Sequence, residues 1–228
     1  MDFSIKNLWV FTIGGVEVWI TETMRNAWII MAALIIFAII VRIKLKKWTD
    51  VPKGLQNVVE MMVESFDNFV RGVANEKFMF LGNWYFMVFA FVLVSNICGI
   101  VGLRPPTADW ATAFAFALAT FFLIHFMGIR YRKGKYLKSF FEPYIPFFPL
   151  NVISELARPI SLSFRLFGNV LGGMILMSLV YALPIYVRFI IPAFLHAYFD
   201  LFSGALQTYI FCILSLSFIN AAADNSED

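Results

Sequence analysis

Five apolar runs, at 27–41, 82–103, 110–129, 166–186 and 189–221, dominate this chain. A hydrocarbon layer about 30 Å thick is crossed by about 20 residues of helix, so four of these runs are long enough and the first is extendable at both ends. Hydrophobic residues make up 61% of the sequence and charged ones 14%. A soluble domain holds about half and about a quarter, so this chain belongs in a bilayer. The expected fold is an all-α polytopic membrane protein with about five transmembrane helices and one interfacial amphipathic helix. The last run is long enough to be tilted, which makes the last two helices a tilted hairpin. Cys98 and Cys212 fall inside apolar runs and read as buried thiols, with no metal-ligand spacing around them. The opening "MDFSIKNLW" lacks the basic region and short apolar core of a removable signal peptide.

Basic residues set the expected orientation. Arg42, Lys44, Lys46, Lys47 and Lys53 form one cluster, and Arg130, Arg132, Lys133, Lys135 and Lys138 form another. Together they hold 10 of the 18 Lys and Arg residues, which puts both loops in the cytoplasm. The connection "RPPTAD" then lies outside, and the segment between the first two spans cannot cross. That segment carries Leu55, Val58, Val59, Met62, Val63, Phe66, Phe69, Val70 and Val73 as an apolar stripe, with Gln56, Asn57, Glu60, Glu64, Asp67 and Arg71 opposite. Such a helix lies in the cytoplasmic interface, with Asp50 or Thr49 as cap and Pro52 in its first turn. "VFTIGGVEVWIT" alternates about Gly14-Gly15 and suits a hairpin on the outer surface. The N-terminus is expected outside, and the C-terminal "DNSED" disordered in the cytoplasm. The chain thus reads as a single membrane domain, 1–228. It divides into an outer segment 1–23, a first span 24–47, an interfacial helix 51–75, a two-span hairpin 80–129 and a tilted hairpin 146–222.

Ionisable residues inside a span cost about 3 kcal/mol on insertion scales and default to a functional reading. Arg165 lies well inside "PISLSFRLFGNVLGGMILM" and cannot deprotonate. Its helix begins near Asn151, about four turns earlier, which makes snorkelling to the interface hard. Ser161, Arg165, Asn169 and Gly172 follow at four-, four- and three-residue spacing on one helix face, flanked by Gly168 and Gly173. A face so bare of bulk lets another helix approach closely. His196, Asp200, Ser203 and Gln207 form a second polar ridge, read as a hydrated path or an interhelical network. Asp200 is the acid within the chain that a hairpin would bring near Arg165, with Pro184, Arg188 and Pro192 in the outer turn. Glu155 and Arg158 read as a hydrated pair at the cytoplasmic interface, and His125 as a satisfied core histidine.

"ELARPISLSFRLFGNVLGG" with "DLFSGALQTYIF" beginning 35 residues after the arginine closely resembles subunit a of F-type ATP synthases, of the bacterial and chloroplast kind. The likeness extends through "PPTAD" and "NICGI" to essentially the whole chain from the first span onward. It implies a stator subunit of the membrane Fo sector facing a rotating ring of c subunits, each with a mid-membrane carboxylate. Two offset half-channels carry H+ or Na+ to and from that carboxylate. The family's essential arginine maps onto Arg165, its asparagine onto Asn169, its last-helix glutamine onto Gln207, and one partner of its Glu/His pair onto Asp200. The other partner's position is Met174, a departure from the pattern, because methionine neither titrates nor coordinates a hard cation well. Ser161, Ser203, His196, Glu155 and Arg158 are expected to line or support the path. Expected partners are the c ring, peripheral stalk b subunits, the remaining F1Fo subunits and membrane lipid in a bacterial cell membrane, with no nucleic acid and no bound cofactor. The chain has no phosphate-binding glycine loop, so catalytic chemistry belongs to other subunits. The alternative classes are a freestanding secondary transporter, whose paired repeats are not evident here, and a membrane scaffold.

Overall fold

The computed structural model describes residues 7–13, 15–45, 48, 52–74, 76–142, 144–184 and 191–223. A short antiparallel hairpin, β1 (Asn7–Ile13) with β2 (Val16–Thr21), precedes the helices and pairs Val10 with Trp19 and Ile13 with Val16. Then follow α1 (Glu22–Leu45), α2 (Leu55–Val73), α3 (Gly82–Ile97), α4 (Trp110–Arg132), the short α5 (Gly134–Ser139) and α6 (Phe148–Tyr181). The last helical run, Ile191–Ala223, comprises α7 (Ile191–His196), a π-helical segment (Ala197–Ser203) and α8 (Gly204–Ala223). Five helical stretches are long and apolar enough to cross a membrane: Glu22–Leu45, Glu76–Ile97, Trp110–Arg132, Ile145–Tyr181 and Ile191–Ala223. The last two, of 37 and 33 residues, exceed the about 20 that an upright span needs. The run expected at 166–186 is thus the second half of a longer helix.

The cap expected for α2 is not the one observed. Its N-cap position is Gly54, at φ 58, without a side-chain cap, and Pro52 precedes the helix instead of entering its first turn. Thr49 and Asp50, the C-terminal "DNSED", and Arg188 in the turn between the last two helices lie outside the described residues.

The chain forms two compact units. The first comprises residues 1–46, 90–113 and 166–208. In it α1 is exposed along nearly its whole length, with only Thr23, Asn26 and Ile30 buried. An apolar helix of this kind is stable only with lipid around it. Its first turns are tied down by polar contacts: Thr23 Oγ1 donates to Asp109 Oδ2 at 3.3 Å, and Asn26 Nδ2 to the Arg104 carbonyl at 2.9 Å.

The second unit comprises residues 47–89, 114–165 and 209–228. The C-terminal half of α2 packs by its aromatic rings. Phe66 meets Phe86 and Phe89 edge-on at 5.5 and 5.8 Å between centroids, and Phe69 meets Tyr209 at 5.3 Å. In its N-terminal half Leu55, Val58, Met62 and Val63 remain exposed, whereas Gln56 is buried and donates to Glu60 at 2.8 Å. An apolar surface displayed beside exposed Asn57 and Glu64 is the surface of an interfacial helix.

Between α4 and α5 the chain reverses at Lys133, whose φ of 50 is strained for a residue with a Cβ. This folds Tyr136 onto Gly128, where an added Cβ would lie only 2.6 Å from the phenol ring. His125 is satisfied there, as expected: its Nδ1 bonds the Phe121 carbonyl at 2.9 Å and its ring lies 4.1 Å from that of Phe121. Asn151 then fixes the approach to α6 by donating to the carbonyls of Phe140 and Glu142 at 2.8 and 3.0 Å.

The Tyr136 hydroxyl is buried without a hydrogen-bond partner among the described residues. Burial, reinforced by the Glu155 charge and opposed by Arg158 and Arg132, pushes this phenol up to about 12 from its usual 10.0. A raised folded-state value favours the protonated phenol. Its contribution to stability is therefore intact below pH 10 and is lost as pH climbs towards 12. Replacing Tyr136→Phe removes both the orphaned hydroxyl and this titration. The purified complex carrying Tyr136→Phe should melt no lower than wild type at pH 8 and should lose less Tm between pH 9 and 11. An equal alkaline loss in the two proteins would show that the phenol is not the titrating group.

Candidate functional site

Within α6 the residues expected on one face separate into two sets. Ser161, Arg165, Gly168 and Gly172 are exposed, whereas Asn169 is half-buried. The cause is helical drift. At about 100° per residue, four-residue steps advance by about 40° each, so Asn169 sits about 80° round from Ser161 while Gly172 returns to within about 20° of it. Nothing lies within 4 Å of where a Cβ would stand on Gly168 or Gly172. Arg165 has no hydrogen-bond or ion-pair partner among the described residues.

Asn169 instead faces the last helix of the first unit, where its Oδ1 accepts from Ser203 Oγ at 2.7 Å. Ser203 closes the π-helical segment that contains Asp200. A π turn inserts a residue into the ladder and is frequent at functional sites. Asp200 Oδ2 pairs with His196 Nδ1 at 2.5 Å, one turn earlier on the same helix. The other ring nitrogen, Nε2, meets the Tyr181 hydroxyl at 3.2 Å. Asp200 is thus paired with a histidine of its own helix.

Three residues outside the expected set complete this cluster. Asn96, at the end of α3 and 3% exposed, accepts from Thr107 Oγ1 at 3.0 Å and donates to the Gly204 carbonyl at 3.1 Å and to Thr208 Oγ1 at 3.4 Å. Gly99, in the turn after α3, leaves room for the Asp200 carboxyl, because a Cβ there would stand 2.9 Å from its Cγ and Oδ2. Tyr181 is the third. Asn96 was findable as an amide inside the apolar "NICGI" run; Gly99 and Tyr181 carried no comparable signal. Asn96, Asn169, Val170, Gly173, Phe199 and Asp200 line a cavity of about 10 Å3, room for about one water.

Gln207 is half-buried, and its side-chain Nε2 has no acceptor among the described residues. In the second unit Glu155 and Arg158 pair at 2.8 Å, with the guanidinium 5.1 Å over the Phe218 ring. The cluster of the first unit is thus a chain of donors and acceptors leading from exposed Tyr181 to a small, partly open polar cavity. Such an arrangement suits passage of an ion or proton.

Comparison with known proteins matches residues 24–220 to the family described as ATP synthase A chain. The chain belongs to this family, the a subunits of F-type ATP synthases. A subunit a of Moorella thermoacetica is 30% identical over 94% of this chain and 95% of its own length. A Bradyrhizobium protein called ATP synthase subunit a 2 is 36% identical over 93% and 92%. One from Propionigenium modestum, called sodium ion specific, is 32% identical over 91% and 76%. Membership makes this a multi-pass protein of a larger ATP synthase complex.

The close approach of Gly99 to Asp200 is testable by a double-mutant cycle. Gly99→Ala forces the carboxyl aside and should destabilise the assembled complex by about 1–3 kcal/mol, the usual cost of overpacking. In an Asp200→Ala background the same substitution should cost much less, since the crowded atoms are gone. Equal costs in the two backgrounds, read as Tm in detergent, would place the carboxyl elsewhere.

Proposed function

We propose that this chain is the stator of the membrane Fo sector of a rotary ATP synthase. It offers two ion half-channels to the carboxylates of a c-subunit ring and couples H+ or Na+ translocation to ring rotation and ATP synthesis. The observation that carries this reading is Arg165, an exposed, unpaired guanidinium on a helix face cleared of bulk by Ser161, Gly168 and Gly172. A charge within a membrane span needs a carboxylate, carbonyls or water, and Arg165 pairs with no carboxylate among the described residues.

The physics follows from one encounter. At about 4 Å and an effective dielectric near 20, an arginine and a carboxylate attract by about 4 kcal/mol. That is about a thousandfold bias of the carboxyl group towards its ionised form. A rotor carboxyl that arrives neutralised by a proton or sodium ion therefore releases it beside Arg165. It takes up another only after moving away into the second half-channel. The fixed positive charge also opposes passage of a bare cation between the channels. The small residues on this face let the ring pass without bulky side chains catching.

Asp200, Ser203, Asn169 and Gln207 line one half-channel in this reading, with His196 as a supporting group. Glu155 and Arg158 support the cytoplasmic end of the other, with Ser161 on the ring-facing helix. In this reading the two basic clusters lie in the cytoplasm by the positive-inside rule, with the N-terminus outside and the C-terminus inside. The setting is a bacterial cell membrane, with peripheral stalk b subunits and the remaining F1Fo subunits as partners. The transported ion is cargo, and the chain holds no cofactor of its own.

Arg165→Ala should abolish ion-driven ATP synthesis in membrane vesicles while the complex still assembles, and Arg165→Lys should retain at most a small fraction, because a point charge lacks the planar fork. Full synthesis by assembled Arg165→Ala would sink the reading.

A further inference from the structure

Granted that stator role, we infer that Tyr181, His196 and Asp200 form a proton relay that replaces a titratable residue at Met174 and makes this path selective for protons. The geometry is continuous within one unit. Tyr181, at the end of α6, is exposed; His196 and Asp200 are half-buried. The hydroxyl meets Nε2 at 3.2 Å and Nδ1 meets Oδ2 at 2.5 Å. Asp200 then borders the cavity it shares with Asn96 and Asn169. The polarity of each link is fixed by its neighbour. An ionised Asp200 can only accept, so Nδ1 carries the proton. In the neutral imidazole Nε2 is then bare and accepts from the Tyr181 hydroxyl.

The Tyr181 hydroxyl gives its proton to Nε2 as its oxygen takes another from water on the exposed side. The Nδ1–H bond breaks as an O–H bond forms on Asp200, leaving a neutral carboxyl at the cavity. The carboxyl passes its proton to water there; Nε2 then loses its proton to water at the exposed ring edge as Nδ1 gains one from water, which restores the starting tautomer. Charge and protons balance at every stage, and one proton moves inward per cycle.

The same geometry disfavours sodium. In the resting state one oxygen of Asp200 is held by a ring nitrogen that carries a proton. The cavity has room for about one water, so a sodium ion would enter almost without its hydration shell. Met174 is half-buried on α6 and supplies no hard ligand. A histidine one turn from the acid on the same helix does the work that a second helix would otherwise share.

The test uses assembled ATP synthase in inverted vesicles. Proton conduction is read by dye quenching after removal of the soluble sector, and ATP synthesis is read in the intact complex. His196→Ala should slow both by about a hundredfold, the lower end for a lost proton-transfer group, and added imidazole should restore most of the loss. His196→Gln, polar but unable to carry a proton, should be equally slow, and Tyr181→Phe should slow conduction severalfold. A sodium gradient at clamped pH should drive no synthesis in wild type. Three results would overturn the relay: wild-type rates in both His196 variants, a loss in assembled His196→Ala that imidazole leaves untouched, or synthesis driven by sodium alone. Arg165→Ala separates the two levels. If it abolishes synthesis while the His196 variants conduct normally, the relay fails and the stator role stands.

Discussion

A polar group inside hydrocarbon must find a partner or cost several kcal/mol, and the polar residues of this protein are arranged around that requirement. Asn96 spends its amide on Gly204, Thr208 and Thr107; Asn169 accepts from Ser203; Asp200 is matched by His196. These pairings explain glycines that the apolar pattern alone does not. A side chain at Gly204 would lie 2.8 Å from the Asn96 Cβ, and one at Gly99 would strike the Asp200 carboxyl. The backbone comes close at these points because short polar side chains must reach across.

Arg165 differs from these groups: it is exposed and has no hydrogen-bond or ion-pair partner among the described residues. Keeping a guanidinium unpaired in a span is tolerable when a carboxylate from another chain meets it. The exposed glycines beside it mean that the partner can approach without displacing side chains. Openness here and closure around Asp200 are two answers to one constraint.

The membrane helices were legible because a span is a statement about length and composition, and both are local. The hairpin was legible for a similar reason: alternation about Gly14-Gly15 matches the observed pairing of Val10 with Trp19. The Glu155–Arg158 pair and the satisfied His125 followed from spacing of one helical turn. What failed depended on distant parts of the chain or on accumulated angle. The cap of α2 fell to Gly54 rather than to a side chain. Asn169 left the arginine face through drift of about 40° per step. The π segment, Gly99 and Tyr181 required knowing which backbone passes opposite Asp200, and no local pattern encodes that.

Drift along α6 has a consequence for how the two polar devices relate. Asn169 and Arg165 are one turn apart, about 6 Å along the helix axis, yet Asn169 is turned into a hydrogen-bonded network while Arg165 remains exposed. Asp200 is committed to His196 and Asn169 to Ser203, while Arg165, one turn before Asn169, is exposed; in the proposed stator role that leaves the guanidinium available to a carboxylate from another chain.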